Sequence, residues 1–146
     1  MVTTLQLLLD EITHLSPLAM VMGGAWVIVM ILVPVIKWVL GEGAERIGIS
    51  LGVLFQATLV AVILFESLHP VRATLAIIGI PLFGWAIEFI GSRTGVPFGD
   101  YHYTDVLQPQ IRHVPVIIPL AWLMMIPPAW SVGRILAGPE GVILAA

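Results

Sequence analysis

The sequence contains no cysteine and few charged residues, which make up only 10% of the chain. The absence of cysteine excludes disulfide frameworks and thiolate metal sites. Six Lys and Arg stand against nine Asp and Glu without forming a basic cluster, so a nucleic-acid partner is not expected. The sequence has no nucleophile elbow, phosphate-binding loop, dinucleotide fingerprint or HExxH helix. Hydrolase, kinase and Rossmann chemistry therefore have no support.

Apolar residues are what the sequence has in excess. Hydrophobic residues make up 59% of the 146 positions, and the mean hydropathy is +1.05. A soluble domain of this size cannot bury so much apolar surface, so we predict an all-α integral membrane protein that forms a single membrane domain over residues 1–146. Crossing a bilayer core takes roughly 20 apolar residues in a helix. Four runs satisfy this requirement, at residues 15–38, 47–66, 72–90 and 114–135.

The first residues differ from these runs. Thr3 and Gln6 form a capping-box pattern, and leucines recur on one helical face, which predicts an interfacial helix over residues 3–14. A cleaved signal peptide is the alternative, but its leading region should be basic, whereas this one carries Asp10 and Glu11. Lys and Arg are more frequent in the linkers 37–46 and 91–113 than on the opposite side. This bias predicts a multi-pass protein of the cell (plasma) membrane with segment 91–113 in the cytoplasm.

Glu88 lies inside the third predicted span. A carboxylate at membrane depth is costly, so it must face a protein interior, be paired or be protonated. A desolvated carboxyl group retains its proton more readily than one in water and can serve as a proton donor. The alternative is that Glu88 reaches the membrane surface and pairs with Arg93.

Segment 91–113 is rich in polar residues, glycine and tyrosine. Gly91, Gly95 and Gly99 recur every four residues, which favours a bent or re-entrant loop. We predict that this loop closes a pocket over Glu88. An ordinary linker whose tyrosines belong to the aromatic belt is the alternative. Two histidines and two aspartates could bind a metal, but their spacing matches no specific ligand motif, so no metal is predicted. Those candidates are Asp100, His102, Asp105 and His113.

Residues 84–122 resemble the signature of an integral-membrane carotenoid biosynthesis family that contains the CruF-type carotenoid 1,2-hydratases and bisanhydrobacterioruberin hydratase. The matching residues are Glu88, Gly91, Thr94, Gly95, Pro97, Phe98, Gly99, Tyr101, Tyr103, Thr104, Leu107, Pro109, Val114, Pro115, Ile118, Pro119, Ala121 and Trp122. The chain departs from the family pattern at Gln108 and His113, where glycine is expected.

The resemblance implies addition of water to the terminal C1=C2 bond of an acyclic carotenoid, without a redox cofactor. Glu88 or Asp100 would donate the proton. The residues expected to orient the water are Tyr103, His102 and Asp105. Aromatic faces would bind the substrate and stabilise a tertiary cation, and the candidates are Trp85, Phe98, Tyr101, Tyr103 and Trp122.

Partners follow from the same resemblance. Members of the family extend beyond the matching region with further spans, so the resemblance implies an enzyme that is either minimal or completed by a second polypeptide or by self-association. The expected partners are a carotenoid or other polyisoprenoid, membrane lipid and other membrane protein chains. Two alternatives remain open. One is a non-catalytic carotenoid-binding or assembly subunit of a larger membrane complex, and the other is a transport or scaffold protein in which Glu88 is a coupling or packing residue.

Overall fold

A computed structural model describes residues 15–141 of the chain, with side chains as far as Arg134. The predicted interfacial helix at residues 3–14 lies outside the described residues. Within them the chain forms four helices and one short β-hairpin, and it divides into two compact units after Ser67. The elements are α1 (Pro17–Leu40), α2 (Glu42–Ser67), α3 (Pro70–Thr94), β1 (Gln110–Ile111), β2 (Val114–Pro115) and α4 (Ile117–Gly141).

The first unit is a hairpin of α1 and α2. Ser16 caps the start of α1, where its hydroxyl accepts a 3.1 Å hydrogen bond from the Ala19 amide. The turn to α2 falls on Gly41, whose φ of 82° is readily adopted only by glycine. Lys37 and Glu45 form an exposed ion pair of 3.0 Å across this turn.

Small residues bring α1 and α2 together. A Cβ atom on Gly48 would lie 3.1 Å from Val33 Cγ2, and the Met30 side chain fills the space over Gly52. Because glycine has no side chain, the two backbones approach closely and bury the facing apolar atoms.

The second unit begins with α3. Its start is capped by His69 and Pro70, and its end by Gly95, which has the left-handed φ of 72° typical of a helix C-cap. The helix continues to Thr94 rather than ending at residue 90 as predicted. The helix passes through Gly91 without interruption. One turn after Glu88, the hydroxyl of Ser92 donates a 2.6 Å hydrogen bond to the backbone carbonyl of Glu88.

A β-hairpin interrupts the segment predicted as a loop. β1 and β2 pair antiparallel, with Gln110 opposite Pro115 and Ile111 opposite Val114. Val114 and Pro115 are fully buried. The fourth helix therefore starts at Ile117 rather than at 114, because Val114 and Pro115 form β2 and Val116 lies in a turn.

The composition of the helices confirms the prediction of an all-α integral membrane protein. Among the described residues, α1, α2 and α3 are long and apolar enough to cross a membrane. Their outward surfaces are apolar, and large side chains such as Ile31, Leu75 and Leu82 are more than 60% exposed. Lipid is the solvent that suits such surfaces. α4 has a similar length of 25 residues, and its span remains a prediction.

Candidate active site

Glu88 is the centre of the second unit. It lies on α3 and is only 9% exposed, the one charged side chain that is buried among the described residues. Gly84 and Gly91, also buried, precede and follow it at intervals of four and three residues, which places all three on one face of the helix. The carboxyl group therefore points away from lipid into a protein interior, in agreement with the cost of burying a charge.

Hydrogen bonds hold the Glu88 carboxyl group from two sides. Among the described residues, three side chains donate to it. Tyr101 and Tyr103, both from the loop after α3, bond to Oε2 at 2.6 and 2.7 Å. The indole Nε1–H of Trp122, from α4, donates to Oε1 at 3.1 Å. The loop and the fourth helix are thus joined to α3 through one carboxyl group.

Two glycines make this close approach possible. A Cβ atom on Gly84 would lie 2.6 Å from Trp122 Cγ, and one on Gly91 would lie 2.9 Å from the Tyr101 hydroxyl. Both distances are shorter than a van der Waals contact, so any larger residue would displace the donor. The glycines on either side of Glu88 are therefore part of the site.

The three partners of the Glu88 carboxyl group act as hydrogen-bond donors. The indole of Trp122 can only donate, and a phenol donates readily while it stays protonated. Partial burial, followed by the hydrogen bond to Glu88, raises the pKa of Tyr101 to about 12. The same two causes raise the pKa of Tyr103 as well. Both phenols therefore remain neutral hydrogen-bond donors at physiological pH.

Two cavities lie against Glu88 in the described part of the chain. One, of about 330 Å³, is bordered by Glu88, Phe98, Tyr101 and Trp122. The other, of about 440 Å³, lies between Glu88 and one face of α4. Both volumes fall in the range of small-molecule sites in proteins.

The larger cavity is an apolar groove along α4. Its lining from this helix recurs every three or four residues: Ile118, Ala121, Trp122, Met125, Ile126 and Ala129. The eleven helical steps from 118 to 129 correspond to about 16 Å. Only Glu88 and Tyr103 bring oxygen atoms from side chains into its lining. The groove thus suits a narrow, linear, apolar chain that brings one end to the carboxyl group.

The model of the carotenoid biosynthesis protein family matches residues 47–142 of the chain. The chain belongs to this family. The match includes α3, the loop, the hairpin and all of α4, and therefore every residue of the Glu88 site. Comparison with curated proteins and with solved structures gives no match. Family membership confirms the family predicted from residues 84–122 and supports a role in carotenoid biosynthesis.

Three of the residues predicted to be catalytic lie apart from Glu88 and its hydrogen-bond donors. Asp100, His102 and Asp105 are exposed in the loop. Asp100 Oδ1 lies over Gly95, at 2.5 Å from the position of a Cβ on that glycine. The described residues hold no group of three or more side chains able to bind a metal ion.

Arg93 does not pair with Glu88, in contrast to the alternative considered from the sequence. Its guanidinium lies 4.1 Å over the Phe89 ring instead. Trp85 stacks on the same ring at 5.2 Å, and its Nε1–H points to Ile111 O at 3.4 Å. Trp85 thus supports the hairpin, whereas Phe98, Tyr101 and Trp122, the other predicted substrate-binding residues, border the cavities.

Several residues of the Glu88 site were not predicted from the sequence. Gly84 and Gly91 lie four residues before and three residues after Glu88, so helical spacing places them on the same face of α3 as Glu88. This spacing could have predicted that other elements pack closely against that face. The same spacing runs through the α4 residues that line the groove. Ser92 and His113 gave no comparable signal, because the hydrogen bond between them joins residues 21 positions apart.

Proposed function

We propose that this protein is a hydratase that adds water to the terminal C1=C2 bond of an acyclic carotenoid at the Glu88 site. The observation that carries the proposal is a buried carboxyl group with three hydrogen-bond donors at one end of an apolar groove. Acid and substrate chain are brought together there, and the family assignment makes a carotenoid the expected chain.

The first step is proton transfer from the Glu88 carboxyl group to C2 of the double bond. The electron pair of the bond forms the new C–H bond, which leaves a tertiary cation at C1 and a carboxylate at Glu88. Alkenes are weak bases, so the step needs a strong acid. The donors Tyr101, Tyr103 and Trp122 stabilise the carboxylate that forms, and thereby stabilise the transition state more than the ground state.

The second step is capture of the cation by water. A water oxygen bonds to C1 and transfers one proton to the Glu88 carboxylate, which restores the acid. The sum is one carotenoid plus one water giving one tertiary alcohol, with no change of oxidation state to supply from a cofactor. Aromatic faces of Phe98 and Trp122, whose ring centroids are 6.5 Å apart, stabilise the cation while it exists.

The test is to express the full chain in cells that accumulate lycopene and to compare the masses of extracted pigments. We expect a product heavier by one water. Glu88→Gln is expected to lower the hydration rate by about 100-fold or more, because general acid catalysis contributes about 10²–10⁴-fold. Glu66→Gln, which alters an exposed carboxylate in the first unit, is the matched control and is expected to retain the rate.

Three outcomes would overturn the proposal or one of its parts. Full activity in Glu88→Gln removes Glu88 as the donor. Loss of activity in Asp100→Asn together with retention in Glu88→Gln moves the donor to the exposed loop. Pigment bound to well-inserted protein, without product, replaces the hydratase with a carotenoid-binding subunit.

The proposed orientation places the loop after α3 in the cytoplasm. Since the chain lacks cysteine, single cysteines report topology without background. A membrane-impermeant maleimide applied to intact cells should label Glu66→Cys and leave Asp105→Cys unlabelled. The reverse pattern would invert the orientation, and equal absence of label in cells would argue against the plasma membrane.

A further inference from the structure

The turn between β1 and β2 holds two residues in an unfavourable backbone conformation. Arg112 has a φ of 48° and His113 a φ of 67°. Two-residue hairpin turns of this kind prefer glycine or asparagine, because the left-handed conformation brings the Cβ atom of other residues too close to the following carbonyl oxygen. Backbone strain of this kind persists only where the surrounding structure holds the residue in place. The contacts of the two side chains differ.

His113 is held by a hydrogen bond to α3. Its Nε2 lies 3.0 Å from Ser92 Oγ, and Ser92 Oγ lies 2.6 Å from the backbone carbonyl of Glu88. The single hydroxyl hydrogen of Ser92 serves the shorter bond, because a carbonyl oxygen can only accept. Ser92 therefore accepts from the Nε2–H of His113. The imidazole also stacks on Phe89, with ring centroids 5.5 Å apart.

The hairpin, which His113 attaches to α3, lies along the chain between the tyrosine donors and the tryptophan donor to Glu88. The loop with Tyr101 and Tyr103 leads into β1, and β2 leads directly into α4, which carries Trp122. A point that fixes the hairpin on α3 thus limits the movement of both flanking segments. The neighbouring Arg112 is exposed and shares the backbone strain, but its side chain has no hydrogen bond recorded among the described residues.

We infer that His113 is a positioning residue for the Glu88 site, which acts through Ser92 to hold the tyrosine loop and α4 against α3. The structural part of this inference stands by itself, and its effect on hydration rests on the proposed function. The left-handed backbone of His113 is strained, but its side chain makes a hydrogen bond to Ser92 that glycine could not make.

The experiment compares His113→Gly with Arg112→Gly. Each change relieves strain in the same turn, and only the first removes the bond to Ser92. The readout is the indole N–H resonance of Trp122 in the ¹⁵N-tryptophan-labelled full chain in detergent, assigned among five indoles by Trp122→Phe. We expect His113→Gly to shift this resonance and, in hydrogen–deuterium exchange followed by mass spectrometry, to speed amide exchange over residues 101–116. Arg112→Gly should change neither.

Two further variants test the route through Ser92. Ser92→Ala should reproduce the spectrum of His113→Gly, and the double variant should add little, because both remove the same bond. His113→Asn should restore part of the wild-type spectrum, since asparagine adopts a left-handed φ and has an amide donor. An unchanged Trp122 resonance in His113→Gly, or equal effects of the two glycine variants, would overturn the inference.

Activity supplies a separate readout. If the proposed hydratase function holds, His113→Gly should lower kcat by about tenfold or more with little change in KM, because misplaced catalytic groups slow the reaction more than binding. A wild-type chain without hydratase activity would refute the proposed function while leaving the resonance comparison in force. The two failures are therefore distinguishable.

Discussion

Replacing Gly84 by alanine tests whether Trp122 and Glu88 depend on close contact between α3 and α4. The added Cβ would lie 2.6 Å from Trp122 Cγ and 2.9 Å from Trp122 Cβ. Rotation of the ring cannot relieve the second contact, because Cβ is attached to the backbone. The two helices must therefore separate by about 1 Å to reach ordinary carbon contact.

The same displacement breaks the hydrogen bond from Trp122 to Glu88. A bond of 3.1 Å lengthened by about 1 Å exceeds hydrogen-bond range. Overpacking costs about 1–3 kcal/mol, and the lost bond to a charged group about 1.5–3 kcal/mol. The higher helix propensity of alanine offsets about 0.5–1 kcal/mol of these costs. We expect Gly84→Ala to lower the free energy of unfolding by about 2–5 kcal/mol.

Gly79→Ala is the matched control on the same helix. A Cβ at Gly79 meets no atom within 4 Å among the described residues, so the change should stabilise the protein by about 0.5–1 kcal/mol. The assay is equilibrium unfolding in mixed micelles, followed by circular dichroism, with the Trp122 indole resonance as local readout. Equal stability of the two variants, or an unchanged indole resonance in Gly84→Ala, would refute the reasoning.

Three further predictions concern the tyrosines. In an alkaline titration followed by ultraviolet absorbance, Tyr101 should ionise near pH 12 rather than 10, and Tyr103 should also ionise above its ordinary value. The chain has only these two tyrosines, so absorbance rising near pH 10 would contradict the prediction. Since the folded-state pKa is raised, the associated stability is fully present below pH 10 and is lost as pH rises through 12. Tyr103→Phe should reduce hydration by about 10–100-fold, the equivalent of one bond to a charged group, and an unaltered rate would argue against a role for this donor. Gly91→Ala should displace the Tyr101 hydroxyl and reduce hydration, with Gly79→Ala as control, and equal rates would show that the contact is unimportant.

The helices could be predicted from sequence more closely than the connections. Length and hydropathy of the four apolar runs predict helices that overlap α1 to α4, because a backbone in lipid must satisfy its hydrogen bonds within the helix. The predicted end of α3 at residue 90 is four residues too early, because Gly91 at the start of a glycine-rich segment indicates a loop. Regular helix tolerates glycine when packing requires it, and the left-handed conformation that ends α3 occurs at Gly95.

The candidate site was predicted in part. The cost of a charge in a membrane drew attention to Glu88 without knowledge of its partners. Asp100, the other candidate proton donor, lies in the polar segment 91–113 and is exposed. Residue type alone could not show which of the two carboxyl groups is buried, because their surroundings depend on contacts with residues that are distant in sequence. The hairpin was missed because strands of two residues carry no alternating pattern.

The sequence by itself determined that this is a helical membrane protein with one costly carboxylate beside a polar, glycine-rich segment. Composition and the spacing of apolar residues suffice for that, because hydrophobicity and backbone hydrogen bonding are local properties. Only the tertiary structure decided which side chains donate to Glu88, that a groove runs along α4, and that His113 attaches the hairpin to Ser92. The contact of Trp122 with Glu88 depends on the approach of α3 and α4 at Gly84, and the periodicity of a single helix does not determine its distance from another helix.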